Sequence, residues 1–239
     1  MSVYYWLYHT LHVSWVLQAA LLAIAILVGL SAAVRRRLAA PDGGLLPDEG
    51  ITLRNMIEVV VEGLANLGRQ TIGHDYRTFF PLVGAIFFFV LISNLLGLVP
   101  GVGGASSDIN TGLAWAIIVF CVYHYAGIRR KGWHYLDHFM GPPMFDRQIF
   151  GKTYHVRALA PLLLPIELVL DASRVATLSI RLLANMFADH TVVAIWYGLV
   201  PIVLPAVFMG LGLVISFIQA FVFSLLSMIY IGLAIEDSH

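Results

Sequence analysis

Long apolar runs alternate with short polar segments along the chain, and this pattern predicts an all-α integral membrane protein. The apolar runs cover residues 13–34, 79–98, 109–128, 159–197 and 202–235. A helix needs about 20 largely apolar residues to cross the hydrocarbon core of a bilayer, and every run reaches that length. We therefore expect five membrane-crossing helices in a single membrane domain over residues 1–239.

Residues 52–72 have a different pattern, in which polar and apolar positions follow the period of a helix. The polar positions are Glu58, Glu62, Asn66 and Arg69, and the apolar ones are Ile57, Val60, Val61, Leu64 and Leu67. A helix with two glutamates on one side and an apolar opposite side is expected at the membrane interface. The same pattern also fits a water-facing helix that packs on the bundle.

The last two apolar runs are too long for upright spans. Residues 166–197 contain neither glycine nor proline, so these 32 residues are compatible with one helix about 48 Å long. The hydrocarbon core is only about 30 Å thick, and ordinary tilts reach about 40°. With Pro201 and Pro205 at the break, the pattern predicts a long, steeply tilted helical hairpin. The alternative is two ordinary spans with a turn near Arg181, where the sequence has no turn signal.

Composition excludes a soluble globular domain. Of the 239 residues, 59% are hydrophobic and only 12% are charged, with a mean hydropathy of +0.85. The single cysteine, Cys121, lies in an apolar run, so the chain has no disulfide framework and no zinc site built on paired cysteines. The first residues lack the positively charged region of a signal peptide, so we expect the first run to remain as a span.

The basic residues predict the orientation in the membrane. Six of the 14 lysines and arginines fall between residues 35 and 77, and six more fall between 129 and 157. Because basic loops stay on the cytoplasmic side, we expect the N-terminus outside and the C-terminus in the cytoplasm. The charged inner loops and the chain length favour a bacterial inner (plasma) membrane over an organelle.

Arg181 is the exceptional residue of the apolar runs. Arginine does not deprotonate in proteins, and a charged side chain at mid-bilayer costs roughly 2.5–3.5 kcal/mol on insertion scales. A side chain that snorkels to the interface is the simplest alternative, but more than fifteen mostly apolar residues flank Arg181 on each side. Such a residue indicates a functional site.

Helical geometry divides the polar neighbours of Arg181 into two sets. At 100° per residue, Glu167, Arg174 and Asn185 share its face, Asp171 falls at the margin, and His190 falls on the opposite face. The simplest role of Glu167 and Arg174 would be a structural ion pair two turns apart. On the last helix, Gln219 has Ser216 and Tyr230 on its side, and its simplest role would be a hydrogen bond between helices.

Other motifs provide little evidence for a metal, phosphate-binding or catalytic site. His134 and His138 have the spacing of a helical metal pair, with Asp137 between them, but they lack a clear third ligand. The glycines at 101, 103 and 104 lack the Lys-Ser/Thr ending of a phosphate loop. No combination of residues suggests nucleophilic catalysis, and we predict neither a cofactor nor a metal.

Two stretches carry a family resemblance. Residues 179–190, Ser-Ile-Arg-Leu-Leu-Ala-Asn-Met-Phe-Ala-Asp-His, and residues 218–230, with Gln219, resemble the signatures of subunit a of F-type rotary ATP synthases. Residues 94–100 and 108–111 resemble that family's end of the second span and start of the third. Glu167 matches the family's acidic residue fourteen positions before the arginine. The resemblance covers about residues 50–237.

The sequence departs from the family pattern at one pair of positions. Bacterial members commonly have a glutamate nine residues after the arginine and a histidine seven before the glutamine, and mitochondrial members exchange the two. Here the first position is His190, but the second is Gly212. Half of the usual acid/base pair is therefore missing, and Asp189 or another acid is the candidate replacement.

The resemblance implies a stator subunit that is no enzyme on its own and that delivers protons to and from the carboxylates of a c-subunit ring. It implies Arg181 as the essential charge, Glu167, Asp171 and Arg174 in the inner half-channel, and Asn94, Asn185, His190 and Gln219 in the outer one. The implied partners are the c-ring, the peripheral-stalk b subunits, the soluble ATPase sector indirectly and the lipid bilayer, with no nucleic acid. The alternatives are a secondary transporter or channel in which Arg181 binds an anionic substrate, and a purely structural anchor.

Overall fold

The computed structural model describes residues 14–38, 52–99, 102–132, 145–149, 152–156, 160–199 and 203–235. Within these residues the chain forms six α-helices: α1 Trp15–Leu38, α2 Leu53–Thr71, α3 Tyr76–Leu98, α4 Ile109–Lys131, α5 Ala160–Leu199 and α6 Val203–Ile235. All except α2 are long and apolar enough to cross a membrane. The predicted all-α class with five candidate spans is therefore confirmed.

Helix α2 follows the amphipathic pattern of its sequence. Thr52 caps its start, because the hydroxyl oxygen accepts a hydrogen bond from the Asn55 amide at 3.3 Å. Leu64 is buried, whereas the side chains of the predicted polar stripe are exposed. Gly68 lies close to Met228 of α6, so the apolar side of α2 packs on the bundle.

Helices α3, α4, α5 and α6 enclose the main core. Its largest buried side chains include Phe87 of α3, Phe223 and Ile231 of α6, and Leu178 and Leu182 of α5. Lipid tails are as apolar as these side chains, so burial from lipid gives little free energy, and close packing must hold the helices together. The positions of closest approach therefore show which helix contacts the sequence specifies.

Small residues allow these close approaches. A Cβ added to Gly104, in the loop after α3, would lie 2.1 Å from the carbonyl oxygen of Ser93 and 3.0 Å from the Gly97 amide nitrogen. A Cβ on Gly112 of α4 would lie 3.2 Å from the carbonyl oxygen of Ser179 on α5. Only glycine fits at these contacts without a shift of the backbone.

The last two helices form the long hairpin. Helix α5 has 40 residues and α6 has 33, which correspond to about 60 Å and 50 Å. Both lengths exceed the hydrocarbon core of about 30 Å. Helix α5 continues through Arg181 without interruption, so the alternative of a turn at that residue is wrong.

The polar segment between α4 and α5 contains regular structure. Strands β1 Phe145–Ile149 and β2 Lys152–Val156 pair antiparallel, with Phe145 opposite Val156. Both strands contain aromatic or β-branched residues, which favour strands: Phe145 and Ile149 in β1, and Thr153, Tyr154 and Val156 in β2. The predicted histidine pair, His134 and His138, lies outside the described residues.

Candidate functional site

Arg181 lies near the middle of α5, between its buried and exposed faces. Leu178 and Leu182 are 2% and 1% exposed and pack into the core, whereas Ile180 is 54% exposed. The side chain of Arg181 is partly buried. In the part of the chain that the structure describes, Arg181 makes neither a hydrogen bond nor an ion pair. Within the described residues, no other side chain therefore compensates the charge of Arg181.

A first polar cluster lies on the residue-160 side of Arg181. Asp171 is 5% exposed, and its Oδ1 accepts a hydrogen bond from Arg174 Nη1 at 2.8 Å. The other carboxylate oxygen, Oδ2, lies 3.7 Å from Nε2 of His124 on α4. The Arg174 guanidinium also lies 5.3 Å from the ring centroid of Tyr230 on α6, within the range of a cation–π contact. We call these four residues the Asp171 cluster.

Asp171 is more important in the structure than its place on the helical wheel suggests. The wheel puts it at the margin of the Arg181 face, yet it is the most buried acid of that stripe and bonds to Arg174. The reason is spacing, because residues three apart on a helix are neighbours on its surface. Glu167, one turn before Asp171, is partly buried.

A second polar cluster lies on the residue-199 side of Arg181. Asn185 Nδ2 donates a hydrogen bond to Gln219 Oε1 of α6 at 2.8 Å. Gln219 is 4% exposed and Ser216, one turn earlier on α6, is 2% exposed. Asn94 of α3 is 2% exposed. The structure thus joins two residues, Asn185 and Gln219, that the sequence places 34 positions apart.

Three buried polar atoms of this region have no hydrogen-bond partner among the described residues. They are Nε2 of Gln219, Oγ of Ser216 and Oδ1 of Asn94. Buried polar atoms in proteins are normally paired with protein groups or with ordered water. In this region they are positions where ordered water could supply the missing hydrogen bonds.

His190 and Asp189 extend the second cluster toward α3 and α6. Nε2 of His190 lies 2.9 Å from the carbonyl oxygen of Gly97 on α3. A Cβ added to Gly212 of α6 would lie 3.5 Å from Oδ2 of Asp189. The Asp189 carboxyl group therefore lies beside the position where the sequence lacks the second member of the acid/base pair.

The predicted site residues therefore form two groups separated along α5 by Arg181. Glu167, Asp171 and Arg174 lie on one side, and Asn185 and His190, with their partners on α3 and α6, lie on the other. Sequence reasoning missed His124. The available signal was that it is the only histidine in the apolar run 109–128.

Among the described residues, no three His, Cys, Asp or Glu side chains are grouped so that they could share a metal ion. The chemistry that the two clusters can carry out is the acceptance and release of protons. Carboxylates and imidazoles exchange protons, and hydroxyl and amide groups orient water.

Comparison with known proteins covers almost the whole chain. A family model described as ATP synthase A chain matches residues 12–232. The chain is 39% identical to the ATP synthase subunit a of Geotalea uraniireducens over 218 residues, which are 91% of this chain and 86% of that protein. It is 38% identical to the ATP synthase subunit a of Trichlorobacter lovleyi over 237 residues, 98% of this chain and 94% of that protein. For Geobacter sulfurreducens, the ATP synthase subunit a is 41% identical over 187 residues, 78% and 76% of the two chains.

Proposed function

Because the chain belongs to the subunit a family of the F-type ATP synthase, we propose that it conducts protons through two offset half-channels separated by Arg181. This membership confirms the resemblance seen in the sequence. The chain is a multi-pass membrane subunit of the FO sector and has no catalytic site of its own. The assignment of individual residues to the two half-channels is our proposal.

The observation that supports this proposal is the isolation of Arg181 between two polar clusters. In the described residues Arg181 has no partner, although an unpaired charge in an apolar bundle is expensive. A partner carboxylate on a c-subunit ring would compensate this charge. A separate polar cluster on each side of Arg181 provides a route to each membrane surface.

Arg181 would control the ionisation of each ring carboxyl group. A carboxyl group that faces lipid is neutral, because the hydrocarbon disfavours its charged form. At about 4 Å from Arg181, attraction between the charges is worth about 4 kcal/mol at an effective dielectric constant of 20, which favours the ionised form. Each ring carboxyl group thus releases its proton on arriving at Arg181 and takes up another after leaving it.

The inner half-channel contains Glu167, Asp171 and Arg174. These residues lie toward the start of α5, which follows the basic segment 129–157. By the charge distribution, that segment lies in the cytoplasm. Protons that enter or leave on this side pass the Asp171 cluster.

The outer half-channel contains Asn94, Asn185, His190 and Gln219. The buried polar atoms of Gln219 and Asn94 that have no described partner support a hydrated path here. We assign the missing acid of the pair to Asp189, whose carboxyl group lies next to Gly212. His190 is suited to proton relay because an imidazole can both accept and donate a proton.

The driving force acts on this arrangement through the membrane potential. Each proton that crosses 100 mV gains about 2.3 kcal/mol, and the offset of the two paths converts this energy into rotation of the ring. We propose the bacterial inner membrane as the location, with the N-terminus outside. We propose the c-ring and the peripheral-stalk b subunits as the direct partners.

The experiment is the Arg181→Ala variant in inverted membrane vesicles. We expect ATP-driven proton uptake to be abolished while the subunit still assembles, because the ring carboxylates lose their counter-ion. Arg129→Ala, at an exposed position near the end of α4, is the matched control and is expected to pump normally. Normal pumping by assembled Arg181→Ala would refute the proposed function.

A further inference from the structure

His124 is a titratable side chain inside a candidate membrane span. Helix α4 contains it near its basic end, five residues before Arg129 and therefore about 8 Å along the axis from that residue. The family signatures lie on other stretches of the chain and do not include it. A histidine within an apolar helix needs a structural or functional reason.

His124 lies beside charged groups of α5 and aromatic rings of α4. Its Nε2 lies 3.7 Å from Oδ2 of Asp171, while Oδ1 of Asp171 bonds to Arg174. Tyr230 of α6 lies beneath the Arg174 guanidinium, and Tyr123 of α4 lies beside the imidazole with ring centroids 4.3 Å apart. The carboxylate thus presents one oxygen to the arginine and the other to the histidine.

The two partners differ in their access to solvent. The side chain of His124 is 18% exposed, whereas that of Asp171 is 7% exposed. The separation of 3.7 Å is too long for a direct hydrogen bond, but one water molecule or a small rotation of the ring would connect the two groups. Arg174 is also partly exposed, at 27%, but arginine does not deprotonate. His124 is therefore the member of the Asp171 cluster that is partly exposed, lies beside the buried carboxylate and can exchange a proton near neutral pH.

We propose that His124 relays protons between the cytoplasmic water and the inner half-channel, through its contact with Asp171. This inference deepens the proposed function and rests on it. During ATP-driven pumping, a hydronium ion gives its proton to the unprotonated nitrogen of the neutral imidazole and becomes water. The imidazolium then passes a proton to the Asp171 carboxylate and returns to the neutral imidazole. The protonated Asp171 carboxyl group gives that proton to the water of the path and becomes a carboxylate again. During synthesis the same steps run in reverse.

A purely structural role makes different predictions. If the pair only clamps α4 to α5, loss of His124 lowers the amount of assembled complex but leaves the pH dependence of transport unchanged. If His124 relays protons, its loss changes the pH dependence, because imidazole is the side chain that titrates near neutral pH. A small diffusible base could also replace a relay, but it could not replace a clamp.

The test measures ATP-driven proton uptake by inverted vesicles, in which the cytoplasmic surface faces the buffer. Two variants are compared with the wild type: His124→Ala, and His124→Gln, which retains a donor toward Asp171 but carries no titrating proton. We expect about a tenfold loss of rate near pH 8 and a smaller loss near pH 6, where hydronium is more abundant. Added imidazole should restore at least half of the His124→Ala rate. His74→Ala, in the exposed turn before α3, is the control and should match the wild type.

Each outcome decides the inference. Wild-type rates in either assembled variant, or a uniform loss with an unchanged pH profile and no effect of imidazole, would overturn it. If His124→Ala fails to assemble, the His124→Gln pH profile decides alone. Loss of pumping in Arg181→Ala together with normal pumping in the His124 variants would refute only the relay. Normal pumping in Arg181→Ala would refute the proposed function itself.

Discussion

Replacement of Asp189 by asparagine tests whether this carboxyl group supplies the acid of the outer half-channel. Asparagine has nearly the same shape, but it cannot take up and release a proton. A positioned proton-transfer group typically contributes 10² to 10⁴-fold to a rate. We therefore expect Asp189→Asn to slow proton uptake by about 10²-fold or more while the subunit assembles normally.

The structure also predicts how the defect can be repaired. A Cβ at position 212 would lie 3.5 Å from Oδ2 of Asp189, so a Gly212→Asp carboxyl group would occupy nearly the same place from the facing helix. The new Cβ would approach the Cδ2 atom of Leu98 to 2.6 Å, but this atom ends a flexible side chain and can move aside. The Gly212→Asp substitution is thus sterically feasible.

Charge repulsion determines what each variant should do. With Asp189 still present, Gly212→Asp would bring two carboxylates to about 4 Å, where their repulsion is about 4 kcal/mol at an effective dielectric constant of 20. The single Gly212→Asp variant should therefore also be slow. In the Asp189→Asn background this repulsion is absent, so the double variant should be faster than either single variant.

The assay is ATP-driven proton uptake by inverted vesicles, normalised to the amount of assembled subunit. Asp189→Asn with Gly212→Asn is the matched control, since it fills the same volume without an ionisable group and should stay slow. Wild-type transport by Asp189→Asn would refute the reasoning at its first step. A double variant no faster than the control would refute the equivalence of the two positions.

Two further predictions concern packing and the outer half-channel. Gly104→Ala should destabilise the subunit by about 1–3 kcal/mol, because its Cβ would lie 2.1 Å from the Ser93 carbonyl oxygen; thermal unfolding in detergent measures this loss. Gly84→Ala, which meets no atom within 4 Å, is the control, and equal stability of the two variants would contradict the argument. His190→Ala should lower proton uptake more than it lowers assembly, because it removes the imidazole that contacts α3. Unchanged uptake would make that contact structural.

The prominent features of this chain could be predicted because they depend on local sequence. Arg181 stands out since a charge in an apolar run is expensive wherever the helix packs. The absence of glycine and proline around it predicted a continuous helix, and the structure has one. The amphipathic pattern of α2 likewise needed only the period of a helix.

The contacts between helices could not be predicted in the same way. The contact of His124 with Asp171 joins α4 to α5, and it depends on how far each helix is shifted along the other. Helical periodicity indicates which face of its helix a residue occupies, but not which residues of a neighbouring helix lie opposite it. The same reason applies to Asp189, which the sequence offered as one candidate for the missing acid, but only the packing of α5 on α6 places its carboxyl group beside Gly212.

The distance between the two polar clusters on α5 explains why a tilt of this helix would require a proton carrier that moves sideways in the membrane. Asp171 and Asp189 are 18 residues apart on α5, which corresponds to about 27 Å along the helix axis. In an upright helix, this length would cover nearly the whole hydrocarbon core, and the two clusters would lie directly above one another. With a tilt of about 40°, the same length covers about 21 Å of depth and about 17 Å of lateral distance. Under the proposed function, a proton does not cross that lateral gap past the fixed charge of Arg181, and it travels instead on a carboxyl group that moves around the ring.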